Sequence, residues 1–200
     1  MSSLLLGTRN PGKVIEITSI LAVAGWSFSS LEEFSYVGEA EENFMTFEEN
    51  AIAKACFYAS ATGLFALADD SGLEVAALRG APGVFSARYA GAQASDADRR
   101  ALLLSELAKT GDTARRARFV AVVAIATPDG DFLNLSEGIC DGTITHAPRG
   151  AGGFGYDPLF IPDGYDQTFA ELPNTIKNQI SHRARALMGT RTFLSQLDHP

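Results

Sequence analysis

Two hundred residues, 46% of them hydrophobic, are enough to build one sizeable core, and a single domain is the expectation. A formal charge of −8 argues against broad adhesion to DNA, RNA or an acidic membrane surface, though not against a small anion held in a local basic pocket. Of the sixteen basic residues only Lys13, Lys54, Lys109 and Lys177 are lysines, so the compact ammonium is reserved for few places.

Leu4-Leu5-Leu6-Gly7 predicts a short apolar strand at the start of the chain. Met1 to Leu6 lacks a basic segment, and its apolar run is too short for a signal peptide. No stretch approaches the roughly 20 apolar residues of a membrane helix. A soluble, cytoplasmic protein is expected. Asn10-Pro11 then offers a helix N-cap and a proline at the first helical position, with Val14, Ile17, Leu21 and Ala24 at helical spacing and Gly25 as a stop. Thr46-Phe47-Glu48-Glu49 reads as a capping box opening a second helix that ends near Gly63. Leu64 to Ala68 reads as a buried strand that stops at Asp69-Asp70-Ser71-Gly72, where a tight turn is expected. Leu73 to Leu78 follows, then a Gly/Pro-rich loop, Arg79 to Gly83. Ser95-Asp96-Ala97-Asp98 opens a third helix running to about Lys109. Phe119 to Ala126 is a strongly apolar strand, Pro128 to Asp131 a hairpin signal, and Phe132 to Leu135 and Gly138 to Thr145 two returning strands. Ile180, Ala184, Leu187, Arg191 and Leu194 mark a closing amphipathic helix. Cys56 and Cys140 suggest neither a disulfide nor a zinc site, and Cys56 reads as a small buried hydrophobe. The Arg115, Arg116, Arg118 cluster reads as a solvated strand entry. The interspersed elements predict an α/β fold with a mixed sheet and an antiparallel edge.

Chemistry concentrates in the loops. Two carboxylates leaving a buried strand are where α/β enzymes carry metal ligands and general bases. Neighbouring residues of an extended chain face opposite ways, so Asp69 and Asp70 are expected to do different work, at a site too polar for the core. Thr8, Asn10 and Lys13 at a helix N-terminus form an anion site, because free N–H groups and the helix dipole point the same way. Among the acids Glu39, Glu41, Glu42, Glu48 and Glu49, the last two read as solvated compensation of the helix dipole, while Glu42 is freer to reach a metal. Mg²⁺ suits one or two carboxylates plus substrate phosphates. In Gly152-Gly153-Phe154-Gly155-Tyr156-Asp157 the glycines allow close backbone approach to a ligand, and the ring offers a stacking surface. Ser181 is placed to cap the last helix, leaving His182 and Arg183 as cations in its first turn, where the dipole disfavours them unless something anionic or electron-rich lies near.

Taken in order, Thr8-x-Asn10-x-x-Lys13, Phe47-x-x-Asn50-Ala51 with Lys54, Asp69-Asp70-Ser71-Gly72-Leu73, Gly80-Ala81-Pro82-Gly83 with Ser86-Ala87-Arg88-Tyr89, Gly152 to Asp157 and Ser181-His182-Arg183 resemble the inosine triphosphate pyrophosphatase family, from residue 4 to about residue 188. The resemblance implies an elongated mixed sheet with helices in two lobes around a substrate cleft, within one domain spanning 1–200. It further implies hydrolysis of ITP, dITP and XTP to monophosphate and pyrophosphate, Mg²⁺ dependence and a homodimer. By the same resemblance, the loop Thr8, Arg9, Asn10, Pro11, Gly12 and Lys13 binds the triphosphate with Lys54, Ser71 and Lys177. Glu42 and Asp70 would hold the metal, with Asp69 as a further ligand or an orienter of water, and Asp70 is the catalytic base. Phe154 would stack on the purine, with Gly155, Tyr156, Asp157, His182 and Arg183 around it. Arg9 stands where similar proteins often carry glycine, and is expected to add a phosphate contact.

Overall fold

The computed structural model describes residues 2–23 and 25–197. Strand β1 (Ser2–Leu6) leads into helix α1 (Pro11–Ile20), then β2 (Trp26–Ser30), α2 (Phe47–Thr62), β3 (Phe65–Val75), α3 (Asp96–Thr110), β4 (Arg116–Ala126), β5 (Phe132–Ile144), β6 (Phe160–Pro162), α4 (Asn174–Ile180) and α5 (His182–Gln196). The strands form one six-stranded sheet in the order β2-β1-β3-β4-β5-β6. β1 pairs in parallel with both β2 and β3, and β5 with β6 antiparallel, which makes the sheet mixed with the expected antiparallel edge.

The chain divides into two compact units. The first comprises the chain up to Asp70, Ala121–Gly138 and the chain from Arg183 on; the second comprises Ser71–Val120 and Ile139–His182. Each has its own apolar core. In the first, Leu4, Leu6, Ile17, Trp26, Leu67, Val123, Leu187 and Leu194 cluster. In the second, Leu73, Leu103, Phe119, Tyr156, Phe160 and Phe169 do. The strands β3, β4 and β5 each pass from one unit into the other.

Local signals set the helix ends. Asn10 caps α1, Thr46 caps α2, Ser95 and Asp98 form a reciprocal capping box on α3, and Gly63 and Gly111 close α2 and α3 in the left-handed region. Several expectations shift. Helix α1 stops at Ile20 with Leu21 as its cap; Ala24, counted into the helical spacing, lies outside the described residues. No turn interrupts Asp69-Asp70-Ser71-Gly72, because β3 runs straight through to Val75. The two returning strands after the hairpin are one, β5, since Ser136 and Glu137 continue the extended backbone. β2, β6 and α4 are too short to leave a periodic signal. Cys56 is half-buried rather than core. Arg115 is buried instead of solvated, donating from Nε to Ile144 O (2.7 Å) and from Nη2 to Thr145 O (2.8 Å). Arg116 and Arg118 are exposed as expected, paired with Asp163 and Glu74.

Candidate active site

In the first unit, Gly7 follows β1, and a single carbon added there would meet the Tyr58 ring at 2.8 Å and the Leu67 carbonyl at 3.0 Å. That close approach, with Gly7 N–H donating to Leu67 O (2.7 Å), carries the Thr8–Lys13 loop alongside β3. Asn10 Oδ1 accepts the Gly12 and Lys13 N–H groups at 2.9 and 3.3 Å, Thr8 Oγ1 accepts from Asn10 N at 3.2 Å, and Pro11 fills the first helical position. Lys13 is thereby aimed at Asp69, its Nζ 3.0 Å from Oδ1. Arg9 turns elsewhere: it donates to Val37 O (2.7 Å) and Leu31 O (3.4 Å), tying down the segment that leads to Glu42.

Asp69 and Asp70 are both buried, against the expectation that this site is too polar for the core, and the reason is pairing. Asp69 meets Lys13 on one oxygen and Arg183 Nε on the other (3.2 Å), while Arg183 Nη1 also pairs with Glu16. Lys54 Nζ donates to Glu42 Oε1 (2.6 Å) and to the Asp69 carbonyl (2.9 Å). Asp70 Oδ2 accepts from Asn50 Nδ2 at 3.0 Å.

This arrangement splits the two acids electrostatically. Burial pushes the Asp69 carboxyl up, but Lys13, Arg183 and Lys54 outweigh it and hold the group well below the usual carboxylate range. For Asp70 burial dominates: aided by Glu42 and only partly countered by Lys54 and Lys13, it pushes the carboxyl up to about 6. Burial lowers Lys13, with Asp69 pulling the other way; at Lys54 burial also opposes the charge, but Asp69 and Glu42 win and raise it. The two neighbours thus differ in proton affinity: Asp69 stays a fixed anion, while Asp70 can take a proton as pH falls to about 6.

In the second unit, the Gly-rich loop folds back on the protein. A carbon added at Gly153 (φ +69°) would collide with the Asp157 carboxylate, and one at Gly150 or Gly152 with the backbone of Ala170. These glycines allow the loop to pack closely on itself and on Ala170. Asp157 Oδ2 accepts from Phe154 N (2.9 Å) and from Lys177 Nζ (2.6 Å). The Lys177 ammonium lies 5.1 Å from the centre of the Phe154 ring and 5.6 Å from that of Phe169, within cation–π range. Tyr156 donates to Ser86 O (3.1 Å), and burial raises its phenol. His182, buried and at the start of α5, stacks on Phe119 with centroids 4.6 Å apart and planes 10° off parallel. Ser71 is half-buried on β3, at the start of this unit. The structure therefore gathers Thr8 to Lys13, Glu42, Lys54, Asp69, Asp70 and Arg183 in one unit, and Ser71, Phe154 to Asp157, Lys177 and His182 in the other.

The profile of the Ham1 family matches residues 4–193. The chain belongs to the Ham1 family. Among curated relatives, dITP/XTP pyrophosphatase of Desulforamulus reducens is 50% identical over 97% of this chain and 96% of its own length. The protein of the same name from Geobacter sulfurreducens is 50% identical over 94% of each. The solved structure of a HAM1 protein from Coxiella burnetii superposes with a TM-score of 0.90 at 44% identity, covering 98% of this chain and all of that one. The Staphylococcus aureus Ham1 protein gives 0.85 at 39% identity, covering 96% and 98%. The mixed α/β architecture expected from the motifs is the architecture of these Ham1 structures.

One residue of this Ham1 chain matters more than its sequence suggested. Asn50, which the sequence shows only as part of a motif, is wholly buried. Its Oδ1 accepts Phe44 N–H (3.1 Å), and its Nδ2 donates to Phe44 O (3.2 Å) as well as to Asp70. One amide thus links the segment carrying Glu42 to the carboxylate of Asp70. A polar residue at the apolar-facing position of a helix beginning Phe47-x-x-Asn50 was the available signal. Replacing Asn50 with Ala removes its hydrogen bonds to Phe44 and Asp70, and about 1–3 kcal/mol of stability should be lost. Chemical denaturation measures it, and an unchanged midpoint would show the clasp to be dispensable.

Proposed function

We propose that this chain is a nucleoside-triphosphate pyrophosphatase that hydrolyses the deaminated purine nucleotides ITP, dITP and XTP to monophosphate and pyrophosphate. The carrying observation is the split pair on β3: an Asp69 carboxylate compensated by Lys13 and Arg183, beside an Asp70 carboxyl raised to about 6. Asp70 accepts a proton from water as the water oxygen bonds to the α-phosphorus, and the bond from that phosphorus to the bridging oxygen of pyrophosphate breaks. Thr8, Asn10 and Lys13 at the start of α1, with Lys54, hold the phosphates. The names of the relatives support this substrate class.

Among the described residues no three His, Cys, Asp or Glu side chains gather as a metal cage. Glu42 and Asp70, close enough for Glu42 to raise the Asp70 carboxyl, supply two oxygen donors, and a Mg²⁺ shell completed by phosphate and water needs no more. When bound there, Mg²⁺ would supply neutralising charge for the phosphates. Asp69, engaged with two cations, is better suited to aiming Lys13 than to ligation.

Phe154 stacks on the purine, and Asp157, His182 and Arg183 read its edge. A guanidinium donates only, which suits a 6-keto oxygen and leaves the adenine amino group unmatched. We further propose that the chain is a single domain acting as a cytoplasmic homodimer without nucleic-acid or membrane partners. No described helix is long and apolar enough to cross a membrane. Pyrophosphate release from ITP, XTP, dITP, GTP, ATP and dUTP, with Mg²⁺ and with chelator, tests the reading. Metal-dependent release from ITP, dITP and XTP is expected; equal release from ATP would overturn the base recognition, and none from any nucleotide the activity.

A further inference from the structure

We propose that Asp96 and Arg100, in the first turns of α3, are positioning residues for base recognition: they bind the N–H and the carbonyl of Gly155 and so hold the ring of Phe154 in place. Asp96 Oδ2 accepts the Gly155 N–H at 2.8 Å, and Arg100 Nη1 donates to the Gly155 carbonyl at 2.7 Å. The second Asp96 oxygen is taken by Arg99 Nη1 at 2.6 Å, which fixes the carboxylate's orientation. All of these residues lie in the second unit.

Tyr156 packs into the core just after Gly155, but Gly155 itself is not held by packing against its own Cα. Gly150, Gly152 and Gly153 are wedged against Ala170 and Asp157, but a carbon added at Gly155 would have no atom within 4 Å. At Gly155 (φ +58°) the hydrogen bonds from α3 supply the restraint that packing supplies three residues earlier. The alternative, that Asp96 merely compensates the helix dipole, is weakened because Ser95 and Asp98 already close the N-terminus of α3 with a capping box. Phe154 is thus pinned on both flanks, by Asp157 at its own N–H and by α3 at the next peptide.

The inference rests on the reading that Phe154 stacks on the purine. A base–aromatic stack is sensitive to ring placement, and a misplaced ring loses affinity for the base while the phosphates still bind. Asp96→Ala and Arg100→Met should each raise KM for ITP about 10-fold, within what one stack is worth, with kcat within about twofold. Inhibition by inorganic tripolyphosphate, which has no base, should be unchanged. Asp96→Asn keeps an acceptor for the Gly155 N–H and should restore most of the affinity. An unchanged KM in both variants overturns the proposal, as does a matching loss of tripolyphosphate inhibition, which would mean general damage to the fold. Phe154→Ala separates the two levels. If it raises KM and the α3 variants do not, only the clamp fails; if it is itself silent, the stacking reading fails and takes the clamp with it.

Discussion

Asp70→Asn should lower kcat for ITP by about 10²–10⁴-fold, the usual contribution of a positioned general base, while nucleotide still binds. The same variant should be more stable than the parent. The Asp70 carboxyl rises from its ordinary 3.8 to about 6 because burial disfavours its charge. A group raised in the folded state binds its proton more tightly there, so ionising it as pH climbs from 3.8 past about 6 works against folding. Above pH 6 that amounts to about 3 kcal/mol, which a neutral amide relieves. Loss of turnover together with a higher melting temperature identifies a base held at a cost in stability. Turnover near the parent's would move the base elsewhere. The pH profile carries the same sign: activity requires ionised Asp70, so in limiting Mg²⁺ the rate should fall as pH drops through about 6. Raising Mg²⁺, which competes with the proton for the carboxylate, should move that limb to lower pH.

Arg183→Ala should be the most destabilising single change in the site, by about 3–5 kcal/mol, since it breaks a buried pair and leaves charge behind. The side chain is 2% exposed and joins Asp69 to Glu16. Asp69 keeps Lys13, but Glu16 loses this partner. On the proposed role of Arg183 in base recognition, a second loss is expected in selectivity: ITP should lose its preference over ATP. Melting temperature and the ratio of kcat/KM for the two nucleotides separate the roles. A fall in stability with intact selectivity would leave Arg183 an electrostatic brace for Asp69 alone, and an unchanged melting temperature would deny the brace. Arg183→Lys tests the geometry, because an ammonium cannot bridge two carboxylates with the planar fork of a guanidinium.

The candidate site was legible where its chemistry is local. Asn10-Pro11 and Thr46 to Glu49 announce helix starts within four residues, and both helices start there, though Glu49 accepts from the Thr46 hydroxyl rather than closing a capping box on its backbone. The Asp-Asp pair drew attention because strong charge follows an apolar run. Its burial was not legible, nor the continuation of β3 through it. A strand that keeps two carboxylates inside needs cations from elsewhere, and those come from α1, α2 and α5. Arg9 shows the converse: beside Lys13 it reads as a phosphate contact, yet its guanidinium is engaged by backbone carbonyls of a segment more than twenty residues on.

The sequence alone determined the α/β class, the starts of α1, α2 and α3, and the family, and it singled out candidate site residues, because each of these depends on neighbours within a few positions or on the order of short motifs. Only the tertiary structure decided what those residues do to one another. It separated Asp69 from Asp70 by bringing Arg183 to the first across 114 residues and Asn50 to the second across 20. It also joined the Phe154 loop to α3 through Gly155. A carboxylate's proton affinity is set by burial and by charges a few ångströms away, and neither is a property of the chain until it has folded.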